Sequence, residues 1–149
     1  MAKYYCVDLL HSWASLLMLI GAPAVDYVRP FFRIVSRLYS QIAAESRLME
    51  WEYYWLRHLE VRLLAAEAVD HDAVREQLDA IERNYSLVQE NVQIGNTHAY
   101  RALIAFLWDK DRDSAEAELD AAAKSWAQAG PGVAAGARRI TLFRRFMFP

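Results

Sequence analysis

Residues 26 to 68, DYVRPFFRIVSRLYSQIAAESRLMEWEYYWLRHLEVRLLAAEA, carry an apolar residue at every seventh position. These residues are Val28, Val35, Ile42, Met49, Leu56 and Leu63. A seven-residue repeat is typical of a long helix that packs along other helices, as in a coiled coil. The sequence therefore predicts one helix over 26–68 and an all-α fold, in which an antiparallel bundle of helical hairpins packs along this central helix.

The positions three residues further along complete the packing seam of this helix. They are Phe31, Leu38, Glu45, Glu52, Leu59 and Ala66, so two carboxylates lie in the middle of an otherwise apolar seam. Carboxylates inside a bundle need cationic partners, which Arg75 or Arg83 of the next helix would supply. The alternative is that the seam opens to water at Glu45 and Glu52.

Composition places the chain among single-domain helical proteins. It has 149 residues, of which 55% are hydrophobic, with only 5 glycines and 4 prolines. This length is enough for one hydrophobic core, and the low glycine and proline content favours helices. The single cysteine, Cys6, has no internal disulfide partner, so we expect an intracellular location. We divide the chain into an apolar N-terminal helix (1–25), a helical bundle (26–132) and a basic C-terminal segment (133–149).

The N-terminal stretch 4–25 is the most apolar part of the chain and has two interpretations. It is about as long as a bilayer-spanning helix, but Asp8 and His11 interrupt it. Three arginines follow it, Arg29, Arg33 and Arg37, and as a membrane anchor it would place the rest of the chain on the cytoplasmic or matrix side. The alternative is a helix buried against protein through Trp13 and Leu17.

The remainder of the chain is predicted as a series of shorter helices. The first spans about 71–93 after an Asp70 cap and packs back along the central helix, with Val74, Leu78, Ile81, Tyr85, Val88 and Val92 facing inward. Gly95 and Asn96 are expected to end it, and Thr97 to begin a third helix with Tyr100, Leu103, Ile104 and Leu107 inward. After a charged turn at 109–113, a fourth helix runs to Gly130, with Ala115, Leu119, Ala122, Trp126 and Ala129 inward. A last helix extends to about Phe146.

Two clusters are candidates for binding partner proteins. Residues 50–58 hold more aromatic surface than one seam can bury, notably Trp51, Tyr54 and Trp55. The C-terminal segment holds four arginines and no acidic residue, interleaved with phenylalanines: Arg138, Arg139, Phe143, Arg144, Arg145 and Phe146. Such a tail can dock on an acidic protein, lie at a lipid surface or follow nucleic acid, and we expect nucleic acid least because no other face is basic.

Residues 97–129 resemble one tetratricopeptide-type helical hairpin. The residues that carry the resemblance are Ala99, Leu103, Phe106, Ala115, Leu119 and Ala122. A faint internal echo of 61–81 in 101–122, at a spacing of 40 to 41 residues, accompanies it. The resemblance implies a protein-binding role rather than catalysis.

The sequence holds few groups with the spacing that catalysis requires. It lacks a phosphate-binding glycine loop, a G-x-S-x-G nucleophile motif and an H-E-x-x-H zinc motif, and we expect neither a metal nor a cofactor. Asp8 and His11 come nearest to a metal or proton-relay pair. His71 and His98 are expected to be capping or solvated groups.

The favoured function is therefore a non-catalytic accessory or scaffold subunit of a larger complex, which binds other protein subunits through its helices. If residues 4–25 form an anchor, the complex is membrane-bound, as an energy-converting complex is. The first alternative is a soluble tetratricopeptide-like adaptor. The second is an enzyme or cofactor binder that uses Asp8 and His11 or the seam carboxylates.

Overall fold

The computed structural model describes residues 30, 33–35, 37–38, 41, 55–56, 58–59, 62, 69–130 and 134–148. The described residues between 30 and 62 are all helical, those from 71 onward form helices joined by short turns, and no strand occurs among the described residues. The predicted all-α fold is confirmed. The chain divides into two compact units, Met1–Ala68 with Phe148–Pro149, and Val69–Met147. The boundary at residue 68 falls inside the predicted 26–132 bundle.

Burial in the first unit follows the predicted heptad at three of the four described seam positions, and the fourth, Leu38, is half-buried. Val35 and Leu56 are 1% exposed and Leu59 is 3% exposed, whereas Arg33 and Arg37 are exposed. The predicted register is therefore confirmed at these positions. Residues 42–54 lie outside the described residues, so the continuity of the long helix and the surroundings of its two seam carboxylates stay predictions.

The second unit begins with helix α1, His71–Leu87. The Asp70 side chain caps it by accepting a hydrogen bond from the Ala73 backbone N–H at 3.1 Å, as the sequence predicts. Its inward side chains recur at spacings of four and three residues, which places them on one face of the helix. These buried residues are Val74, Leu78, Ile81 and Tyr85.

The predicted end of this helix is wrong by about six residues. It ends at Leu87, and Gln89 adopts a left-handed conformation with φ of 55°. The Glu90 N–H then closes the turn by donating to the Tyr85 carbonyl at 2.9 Å. Val88, predicted to face inward, lies in this turn and is 58% exposed. Helix α2, Asn91–Ile104, follows directly, so the Gly95–Asn96 pair lies within a helix and does not end one.

Helix α2 is the centre of the second unit. Its buried residues lie on most sides of the helix: Gly95, Asn96, Thr97, Ala99, Tyr100, Ala102, Leu103 and Ile104. The chain then widens into a π-helical segment, Ala105–Asp109, and reverses at Lys110, whose φ is 58°. Leu107, predicted to face inward, lies in this segment and is half-buried.

Helix α3, Arg112–Gln128, packs antiparallel on α2 in the most extensive contact of the unit. Asp111 caps it and accepts hydrogen bonds from the Ser114 N–H at 3.0 Å and the Ser114 hydroxyl at 2.6 Å, which lowers the pKa of Asp111. Four of the five residues predicted to face inward are buried: Ala115, Leu119, Ala122 and Trp126. The fifth prediction is wrong, because Ala129 lies in the turn after the helix and is exposed. The small ones among the buried four let the two helix backbones approach closely.

Gly95 on α2 lies directly against the Trp126 ring of α3. A Cβ atom placed on it would lie 2.5 Å from both Cδ1 and Nε1 of Trp126. The Trp126 indole N–H donates to the Val92 carbonyl at 2.9 Å, which holds the ring in place over the glycine. A glycine is therefore required here for packing, although helix propensity alone disfavours it.

Helix α4, Ala134–Met147, completes the unit and follows the stop at Gly130. Its buried side chains are Ile140, Phe143 and Met147. The prediction of a helical tail is confirmed, and its last helical residue lies one position beyond the predicted Phe146.

The Gly95→Ala variant tests the α2–α3 contact. Helix propensity alone would stabilise α2 by about 1 kcal/mol. The clash with the indole instead predicts a loss of about 1–3 kcal/mol in the free energy of unfolding, measured by urea denaturation. In a Trp126→Leu background the same alanine should be neutral or stabilising, because the ring is gone. Stabilisation of the otherwise unchanged chain by Gly95→Ala would contradict this packing.

Leu78→Asp tests the core of α1, since Leu78 is fully buried. An unpaired carboxylate at this position should cost several kcal/mol and abolish cooperative melting of the second unit. Leu87→Asp is the matched control on the same helix, because Leu87 is 83% exposed. It should change the free energy of unfolding by less than about 0.5 kcal/mol. Similar melting curves for the two variants would show that the register of α1 is wrong.

Candidate functional site

The candidate site is a layer of charged side chains between α1, α2 and α3, which we call the central cluster. It consists of Asp79 and Glu82 on α1, His98 and Arg101 on α2, and Glu118 on α3. Asp79 and Glu82 are three residues apart, as are His98 and Arg101, so each pair lies on one face of its helix. The cluster therefore forms where an acidic pair on α1 faces a basic pair on α2.

Arg101 joins α2 to α1 through two carboxylates. Its Nη2 donates to Asp79 Oδ1 at 2.7 Å, and its Nη1 donates to Glu82 Oε2. Burial by itself would lower the pKa of Arg101, but the hydrogen bond and charge of Glu82, with the charges around it, outweigh burial and raise that pKa. The guanidinium therefore stays positively charged, and its charge is balanced by α1.

His98 connects all three helices. Its Nδ1 lies 2.7 Å from Glu118 Oε2 on α3, and its Nε2 lies 3.8 Å from Glu82 Oε1 on α1. The His98 side chain is 19% exposed. The expectation that His98 is a capping or solvated group is therefore wrong, because it lies in the second turn of α2 and faces carboxylates from both neighbouring helices.

The π-helical segment forms one edge of the cluster. Arg75 Nη2 lies 2.6 Å from Asp109 Oδ1, and the Trp108 ring stacks on His71 with centroids 3.7 Å apart and planes 2° apart. A groove of about 260 Å³ remains beside these groups. It is lined by Arg75, Asp79, Arg101, Ile104, Ala105, Asp109, Ser114 and Glu118.

The arrangement is suited to holding helices together. Arg75 and Arg101 each contact a carboxylate of another element, and His98 lies 2.7 Å from Glu118. Among the described residues, no three histidine, cysteine, aspartate or glutamate side chains converge with the geometry of a metal site. The chemistry of the central cluster is ion pairing between helices.

A second feature of the unit is an exposed apolar pair at the α1–α2 turn, which we call the tip pair. Leu87 is 83% exposed and Val88 is 58% exposed. Leu87 borders a shallow groove of about 560 Å³, which is lined by Asp79, Glu82, Arg83, Ser86, Leu87 and Arg101. Sequence reasoning missed this pair because Val88 fits the heptad-like spacing of α1, whereas the turn at Gln89 removes it from the helix.

The predicted partner-binding residues fall into three groups. Arg33, Arg37, Arg138 and Arg145 are exposed, and Trp55 is half-buried. Arg139, Phe143 and Arg144 instead contact or pack within the second unit. Trp13, Leu17, Arg29, Trp51, Tyr54 and the side chain of Phe146 lie outside the described residues.

Arg75, one of the two predicted partners of the seam carboxylates, contacts acidic residues of its own unit instead. Arg75 contacts Asp109 and lies 3.9 Å from Asp72, so its charge is balanced within its own unit. Glu45 and Glu52 lie outside the described residues, as do Asp8, His11 and the whole stretch 4–25. None of the described helices has the length and apolar character needed to cross a membrane.

No protein-family model, curated protein or solved structure matches this chain.

Glu82→Gln tests whether Glu82 is the central carboxylate of the cluster. Its side chain is 28% exposed and lies beside both Arg101 and His98, so the variant should lower the free energy of unfolding by about 1–3 kcal/mol. Asp79 is 57% exposed, and Asp79→Asn should cost less than about 1 kcal/mol. Glu76→Gln on the exposed face of α1 is the matched control. Equal urea midpoints for Glu82→Gln and Glu76→Gln would refute the proposed role.

Proposed function

We propose that this protein is a non-catalytic accessory or scaffold subunit that binds other proteins through its helices. The observation that carries the proposal is the tip pair. Leu87 and Val88 are adjacent, large and exposed, at a turn where polar side chains are usual. A partner that covers them removes apolar surface from water, which is the main favourable contribution to protein association.

The central cluster supports the same proposal, because it links α1, α2 and α3 to one another. Charged contacts from α2 to both α1 and α3 fix the helices that carry the tip pair. A surface presented by fixed helices loses little conformational freedom when a partner binds. The central cluster thus holds the helices of the second unit together, and the tip pair contacts the partner.

The alternative of a tetratricopeptide-like adaptor is favoured by the order of the helices. The pairs α1–α2, α2–α3 and α3–α4 each pack together, and the close contacts of His98 with Glu118 and of Val92 with Trp126 make α2 and α3 an antiparallel hairpin. Successive packing of this kind is common to helical repeat proteins. Both proposals assign the chain a protein partner, and they differ in whether further helical repeats stack on it.

Association with a membrane remains a separate proposal. It rests on the apolar stretch 4–25, in which Asp8 and His11 would need partners in lipid. The described residues add no support for it.

The double variant Leu87→Ser with Val88→Ser tests the proposed binding surface. Partners are first captured by placing photoreactive benzoylphenylalanine at position 87 in cells of the source organism and identifying the linked protein. The double variant should then lower the affinity for that protein at least about tenfold, because two exposed apolar side chains no longer contribute. Its melting temperature should not change.

Ser86→Ala with Gln89→Asn is the matched control, since it alters the same turn without removing apolar surface. It should bind as the unchanged chain does. Failure to cross-link any protein at position 87, or unchanged affinity of the double serine variant, would reject the tip pair as the binding surface.

A further inference from the structure

Helix α4 directs its side chains in three different directions. One face carries the buried residues Ile140, Phe143 and Met147, which hold the helix to its own unit. Phe143, which lies between the two arginine pairs of the tail, is only 2% exposed. The Phe143 ring is therefore part of the core and is not available to a partner.

The two flanks of α4 use one arginine from each pair. On one flank, Arg139 donates to Asn96 Oδ1 at 2.7 Å and to the Tyr100 hydroxyl at 2.8 Å. On the other, Arg144 Nε lies 3.2 Å from Glu116 Oε1, and its Nη2 donates to Asp120 Oδ1. These two arginines attach α4 to α2 and α3.

The remaining face, which we call the outer face of α4, carries Arg138, Thr141 and Arg145, all exposed. Arg138 and Arg145 are seven residues apart, which places them on one side of the helix at a separation of about 10 Å. The segment 134–147 contains no acidic residue, and neither arginine forms an ion pair with a described residue. The outer face is therefore a positively charged stripe.

We propose that the outer face of α4 binds an acidic helix of a partner protein. The inference rests on the proposed function, and charge complementarity determines the occupant: carboxylates of the partner one or two helical turns apart would face Arg138 and Arg145. Lipid and nucleic acid fit less well. A lipid-surface helix needs apolar side chains free to enter the bilayer, and single-stranded nucleic acid needs exposed aromatic rings for stacking. The described side chains of the outer face, Arg138, Thr141 and Arg145, are all polar and offer neither.

The positively charged stripe is expected to determine how a bound partner is oriented more than how tightly it binds. Exposed ion pairs contribute little to affinity, but complementary charges raise the rate of association and fix the register of two surfaces. Binding through the outer face of α4 should therefore weaken as salt is added, since screening acts strongly on exposed charges.

The test places benzoylphenylalanine at position 141 of the full chain, in cells of the source organism, and sequences the linked peptide. The expected result is a protein segment with at least two carboxylates three, four or seven residues apart. Linking should fall at least about fivefold in Arg138→Glu with Arg145→Glu, consistent with loss of two exposed ion pairs. When lysines replace the linked carboxylates of the partner, linking to this double glutamate variant should be restored. Arg112→Glu with Lys124→Glu on α3 makes the same change of charge and should link normally.

Linking to lipid, to nucleic acid or to a segment without such carboxylates would overturn the inference, as would no protein cross-link at position 141. Cross-linking at position 87 tests the proposed function, whereas cross-linking at position 141 tests only the outer face of α4. A chain that links at 87 but not at 141 keeps its proposed function and loses only the acidic partner of α4.

Discussion

The second unit depends on the contact between Gly95 and the Trp126 ring. Because a Cβ at position 95 would come within 2.5 Å of the indole, only glycine lets α2 and α3 approach this closely. The approach brings His98 within 2.7 Å of Glu118 and leaves Tyr100 fully buried. The close packing of α2 on α3 thus includes both a polar contact and a part of the core.

The central position of α2 explains why the unit has charged groups between its helices. A helix with neighbours on most sides has little surface left for polar side chains, so His98 and Arg101 can be kept only if α1 and α3 supply carboxylates. Such pairs add little net stability compared with apolar packing, but removing one member leaves an unbalanced charge. The cluster therefore acts mainly to fix which faces of the three helices meet.

The sequence predicts those features that depend on local signals. Asp70 and the charged turn before Ser114 identify the starts of α1 and α3, and the spacing of Leu78 or Leu119 identifies their inward faces. The break at Gln89 and the helical placement of Gly95 were not predictable in this way. A glycine followed by asparagine is a common helix stop, and only the ring of Trp126, about thirty residues away in sequence, gives it another role. The i, i+3 pairs of the central cluster were visible in the sequence, but nothing local showed that they face each other.

The tail shows how helical geometry changes a conclusion drawn from composition. Adjacent residues on a helix point about 100° apart, so the two members of an Arg–Arg pair cannot face the same way. In each pair one arginine, Arg139 or Arg144, contacts the unit itself, and the other, Arg138 or Arg145, faces outward. Half of the basic charge counted in the tail therefore attaches α4 to its own helices. The half that remains is spaced by seven residues, which turns a block of charge in the sequence into a directional stripe on the surface.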